Sequence, residues 1–252
     1  MNPENGWFLQ EQEGEEEETQ KMKFNRTSIF LGETIDQPDV KEIRASSGLW
    51  QASIEDAVRF GGPVTKAAIS AMNFRNDRKF IVVDVKIHML MPGMNPAIPS
   101  WHTDGVPRLP DGSPISKGAP DIYAQEFSRP PRYALQEEMK PHRFHALVTG
   151  SVSLTEFVDE TLELQIPSEP DTSLYTMIHN QVESRKPKTI KVPSCQVVEF
   201  DWWNIHRGTF ANGHEWRFFI RATETDYWAP QTDLRSILRS QQQVYVKENF
   251  GW

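Results

Sequence analysis

The chain has 252 residues with 8 Trp, 14 Phe, one Cys and a formal net charge of −8. That length can bury one sizeable core; the lone Cys195 excludes an intramolecular disulfide and suits a reducing, cytoplasmic setting. The acidity argues against a general nucleic-acid binder, whose surface must displace counterions, while leaving a local basic groove open.

Six Glu fall between Glu11 and Glu18, so residues 1–22 read as a solvated, disordered acidic tail. A single domain is expected over 23–252, with ordered structure starting near Phe24. The start of the chain lacks the basic and apolar regions of a signal peptide. No run of 18 apolar residues suggests a membrane helix. Ser53 and Asp56 can cap a helix through Phe60. Pro63 suits the first turn of a second helix, to Met72. Phe80 to Met91 reads as a long strand: Ile81, Val83, Val85, Ile87 and Met89 alternate with Val82, Asp84, Lys86 and His88. Residues 106–143, rich in Pro, Gly and Arg, read as a long loop, either a lid or a surface insertion. Arg108, Arg129, Arg132 and Arg143 in it could meet an anionic group. Strand signals resume at Phe144 to Val158, Leu162 to Ile166 and Thr189 to Val192. Gln196 to His206 and Glu215 to Thr223 read as a hairpin around Asn212-Gly213. That register sets His206 opposite Phe219 and puts Arg217 and Arg221 on its face. Asp233 to Val244 reads as a closing helix. The expected fold is mainly β with flanking α, a jelly roll with helices packed outside.

Of seven His, only His102 has a carboxylate two residues on, at Asp104. In extended backbone those two side chains share a side. A second His, at His206, completes two imidazoles and one carboxylate around a metal, leaving positions open as non-haem Fe(II) chemistry requires.

His102-Thr103-Asp104, His206 and Arg217 eleven residues later resemble the motif of the Fe(II)- and 2-oxoglutarate-dependent dioxygenases, over about Phe80 to Thr223. The order and spacing are similar to the phytanoyl-CoA hydroxylase-like and taurine dioxygenase-like branches. The resemblance implies a double-stranded β-helix, cupin-like in build, with His102, Asp104 and His206 as catalytic iron ligands. It also implies O2 as oxidant and 2-oxoglutarate as co-substrate, its far carboxylate on Arg217, with Arg221 the rival. His88, Lys86 and Thr149 are further candidates for co-substrate contact. Hydroxylation of a C–H bond, with release of succinate and CO2, is the implied reaction. The substrate would be a small molecule, anionic or nucleotide-like, with no membrane partner. The rival readings are a cupin-like metal protein without 2-oxoglutarate, a non-catalytic jelly roll for binding or structure, and a nucleic-acid-modifying oxygenase.

Overall fold

The computed structural model describes residues 19–104, 139–167, 174–227, 229–238 and 244–247. Of these, 38% lie in strands and 21% in helices, and the strands form several antiparallel sheets. The first strands are β1 (Thr19–Phe24) and β2 (Phe30–Thr34). Three short helices then flank a strand: α1 (Val40–Ala45), β3 (Leu49–Ala52), α2 (Ile54–Phe60) and α3 (Gly62–Ser70). Asp39 and Glu42 form a reciprocal capping box on α1. The Ser53 side chain accepts from Asp56 N at the start of α2, and Pro63 occupies the first turn of α3, where its missing N–H costs nothing.

The long strand β4 (Phe80–Leu90) is followed by β5 (Met94–Asn95), β6 (Arg143–Val148), β7 (Thr155–Val158) and β8 (Leu162–Pro167). Then come α4 (Leu174–Arg185), β9 (Thr189–Lys191), β10 (Gln196–Asp201), β11 (His206–Gly208) and β12 (Glu215–Thr225). Helix α5 (Leu234–Ile237) and β13 (Tyr245–Val246) complete the described elements. The largest sheet has the order β2-β10-β6-β12-β4-β3; a smaller one has β11-β7-β9.

Alternation sorts side chains between two cores. On β4, Val83, Val85 and Ile87 pack with Phe218, Ile220 and Ala222 of β12 against Ile43, Ala57, Val64 and Ala68 of the helices. Strands β6 and β10 send Phe144, Ala146, Val198 and Phe200 the other way, to meet Phe157 and Val158 of the smaller sheet. Each large apolar side chain buried this way contributes about 1.5–3 kcal/mol. Helix α4 joins that second core through Leu174, Ile178 and Val182. Gln181 fixes it to β8 by accepting from Gln165 N at 2.9 Å and donating to Gln165 O at 2.6 Å.

Several sequence expectations are corrected. Gln196 to His206 is not one strand: β10 ends at Asp201, a turn follows, and His206 starts β11 in the other sheet. No hairpin therefore joins β11 to β12; β12 pairs with β4 and β6 instead, and Phe219 faces Lys86 and Val148 rather than His206. The chain is already in strand at Thr19, inside the expected tail, and residues 1–18 lie outside the described residues. Most of the expected 106–143 loop also lies outside them, and Arg143 belongs to β6. The expected closing helix spans only Leu234–Ile237, with 239–243 outside the described residues.

Candidate metal centre

His102 and His206 exchange two backbone hydrogen bonds as an antiparallel pair, at 3.0 and 2.9 Å. This pairing sets their rings side by side, with centroids 4.7 Å apart. Asp104, two residues past His102, returns to the same side. One ligand atom from each of the three lies within 4.8 Å of the others. The two rings are buried, at 5% and 6% exposure. His102 Nδ1 lies 2.6 Å from Ser100 O and His206 Nδ1 lies 3.1 Å from Asn204 O. With the proton on Nδ1 donated to a carbonyl, Nε2 of each ring is left as the metal donor. Burial, aided by His206, pushes His102 down to about 4, so the ring is neutral at pH 7. Two imidazoles and one carboxylate fit a divalent ion while leaving part of its coordination sphere to other ligands.

His206 owes its position to the turn after β10. Asp201 N donates to Asn204 Oδ1, Trp203 N donates to Asp201 Oδ1, and Asn204 Nδ2 donates to Thr27 O, each at 2.8 Å. Ile205 N donates to Asn25 Oδ1 at 2.8 Å, and Asn25 adopts the left-handed φ of 51°. Phe157 stacks on the His206 ring and Phe200 meets it edge-on, both at 5.1 Å.

Helix α4 ties the two ligand strands together. One Glu183 oxygen accepts from Trp101 Nε1 and from Arg207 Nη1, each at 2.7 Å. Trp101 precedes His102, and Arg207 follows His206. The Arg207 guanidinium lies 4.1 Å from the Trp101 ring centroid, a cation–π contact. One helical turn earlier, His179 Nδ1 accepts from Trp101 N at 3.4 Å; a turn before that, Tyr175 meets the His102 ring edge-on at 6.4 Å. The sequence reading missed α4 and Glu183. The available signal was the spacing of four between Leu174, Ile178 and Val182.

Strand β12 brings Arg221 to Asp104: Nη1 donates to Oδ2 at 2.6 Å, and Nη2 lies 3.4 Å from Asp84 Oδ2. Burial works against the Asp104 charge, but the neighbouring charges, Arg221 foremost, outweigh it and hold its carboxyl well below the usual range. Asp84 is fixed in turn by Gln51 N at 2.9 Å, across a β3 bulge in which Gln51 takes a φ of 50°. Asp84 was also missed as a site residue, although it stands on the polar face expected for this strand.

Arg217 is in a different situation. It is 3% exposed, its Nε donates to Ser153 O at 3.2 Å, and no carboxylate pairs with it among the described residues. Burial lowers its pKa to about 10, partly offset by the more distant Glu215. Directly opposite Arg217 on β4 is His88, also buried, with neither ring nitrogen hydrogen-bonded among the described residues. Burial, then Arg217, push His88 down to about 3, so it is neutral too. Lys86 occupies the next inward position, opposite Phe219. Of the sequence candidates, His102, Asp104, His206 and Arg221 thus meet directly, and Arg217, His88 and Lys86 line the adjoining ladder. Thr149 instead bonds the β12 backbone, its Oγ1 accepting from Phe218 N at 3.1 Å. His145 pairs with Glu224 at 2.8 Å, away from the triad.

No family model, curated protein or solved structure matches the chain. No helix among the described residues is long and apolar enough to cross a membrane.

Proposed function

We propose that the chain is a non-haem Fe(II)- and 2-oxoglutarate-dependent oxygenase that hydroxylates a C–H bond of a small molecule, on a double-stranded β-helix. Two strand orders support the fold: β4-β12-β6-β10 on one side, and the His102 segment with β11-β7-β9 on the other. Both are antiparallel throughout, as two interleaved four-stranded sheets require.

The observation that carries the function is Arg217. A buried guanidinium without a carboxylate partner is costly to leave alone, and a carboxylate-bearing ligand compensates it through a bidentate pair. His102, Asp104 and His206 would hold the iron. Bound together, iron, O2 and the keto acid supply C–H oxidation coupled to release of succinate and CO2. Arg217 anchors the distal carboxylate, and neutral His88 can add a hydrogen bond to it. Arg221 keeps Asp104 ionised and oriented. Phe157 and Phe200 wall His206 from water. The buried, unpaired Cys195 suits a cytoplasmic location. A cupin-like metal protein without keto acid would use the same triad but leaves Arg217 and His88 without an occupant.

Calorimetric titration of 2-oxoglutarate into the Mn(II)-loaded protein tests the anchor. Arg217→Met weakens binding roughly ten- to a hundredfold, whereas the exposed Arg235→Ala has no effect. Unchanged affinity in the Arg217 variant removes the keto acid from this reading.

A further inference from the structure

Two cations on the inward ladder pair with no carboxylate among the described residues. Arg217 is one. The other is Lys86, which makes no hydrogen bond or ion pair among the described residues. Its row on β4 lies between the rows of Arg217–His88 and Arg221–Asp84. Successive inward positions are about 7 Å apart along an antiparallel strand, so Lys86 stands between the anchor end and the metal end. Its neighbours leave its charge poorly compensated. Burial depresses its pKa first, Arg221 adds to this, and Asp84 and Asp104 only partly offset it. Asp84 is already committed to Arg221 and Gln51 N. Asp104 is committed to Arg221 and to the ligand cluster.

This inference rests on the oxygenase reading. A dicarboxylic keto acid brings two anionic ends, one for the metal and one for Arg217, and both are then answered. Lys86 remains. We propose that Lys86 forms a second anion subsite, which docks a carboxylate, sulfonate or phosphate group of the molecule to be oxidised and so restricts the substrate to anions. The Lys86 row flanks the triad, so an anion held there by a short carbon chain places a C–H bond beside the metal. The one other source of the same chemistry is the metal-side carboxylate of the keto acid itself.

Sulfate serves as the probe, titrated calorimetrically into full-length Mn(II)-loaded protein already saturated with 2-oxoglutarate. The wild type takes up sulfate saturably. Lys86→Met weakens this roughly ten- to a hundredfold, Lys86→Arg retains it, and the exposed Lys66→Met leaves it unchanged. Three results overturn the proposal: no saturable uptake by the wild type, equal affinity in Lys86→Met, or a Lys86→Met defect confined to 2-oxoglutarate binding, which assigns the lysine to the keto acid. If 2-oxoglutarate itself does not bind, the oxygenase reading fails separately. The sulfate titration then runs in the Arg217→Met background, where dependence on Lys86 still upholds the anion subsite and independence removes it.

Discussion

Arg217 and Arg221 are four residues apart on one strand, yet opposite outcomes are expected when each is replaced. Arg221 compensates Asp84 and Asp104 at 3.4 and 2.6 Å. Removing it leaves two carboxylates without their cation. Arg221→Met should therefore destabilise the metal-free protein, towards the low end of the ~3–5 kcal/mol seen when a buried pair is broken, because these groups keep some solvent. Arg217 has no such partner among the described residues, and methionine can fill much of its space without a charge. Arg217→Met should leave metal-free stability unchanged or raise it, while weakening keto acid binding as described above. Denaturant titration of both variants checks the contrast; equal destabilisation would mean that Arg217 has a structural counter-charge. At the triad, His102→Ala and Asp104→Ala should abolish Fe(II) binding, whereas the exposed His214→Ala should not. Normal iron binding by the His102 variant would displace the site.

The most specific expectation among the elements concerns α4. Glu183 grips the neighbours of both histidine ligands, so Glu183→Ala should weaken metal binding by about tenfold and shift the visible spectrum of the Co(II)-loaded protein. Glu183→Gln keeps an acceptor for Trp101 Nε1 and should restore most of both. An unchanged spectrum in the alanine variant would make the helix a bystander. The elements were unevenly legible in the sequence. Strands β4 and β12 run eleven residues each, long enough for the change of side from residue to residue to reveal which side chains share a face. That alternation also put Arg217 and Arg221 on one face. The pairing expected around Asn212-Gly213 failed because the chain is redirected earlier, at residues 202–205. That turn depends on Asn25 and Thr27, nearly 180 positions away, and no local pattern encodes such partners. Helix α4 was missed because its polar face, Tyr175, His179 and Glu183, resembles a loop until Trp101 and His102 are known to lie against it.

Across the whole molecule, burial of neutral histidines governs the response to acid. His88, His102 and His142 ordinarily titrate at 6.5, and in the fold they are depressed to about 3, 4 and 3, chiefly by burial. Between these limits the unfolded chain takes up protons that the folded one refuses. The stability of the metal-free protein is therefore fully present above about pH 6.5 and falls as the pH drops towards 4, by up to about 1.4 kcal/mol per pH unit for each histidine. Denaturation midpoints at neutral and mildly acidic pH check the sign; a flat profile would show that these rings are not held neutral. The triad, Arg217 without a carboxylate among the described residues, and the two facing sheets are the grounds for the proposal that an iron-bound keto acid occupies the interior. Anaerobic titration of the Fe(II)-loaded protein with 2-oxoglutarate tests it most directly. The account predicts a saturable visible charge-transfer band that Arg217→Met shifts to higher keto acid concentration. Iron bound without any band would contradict it and leave the triad as a metal site of another kind.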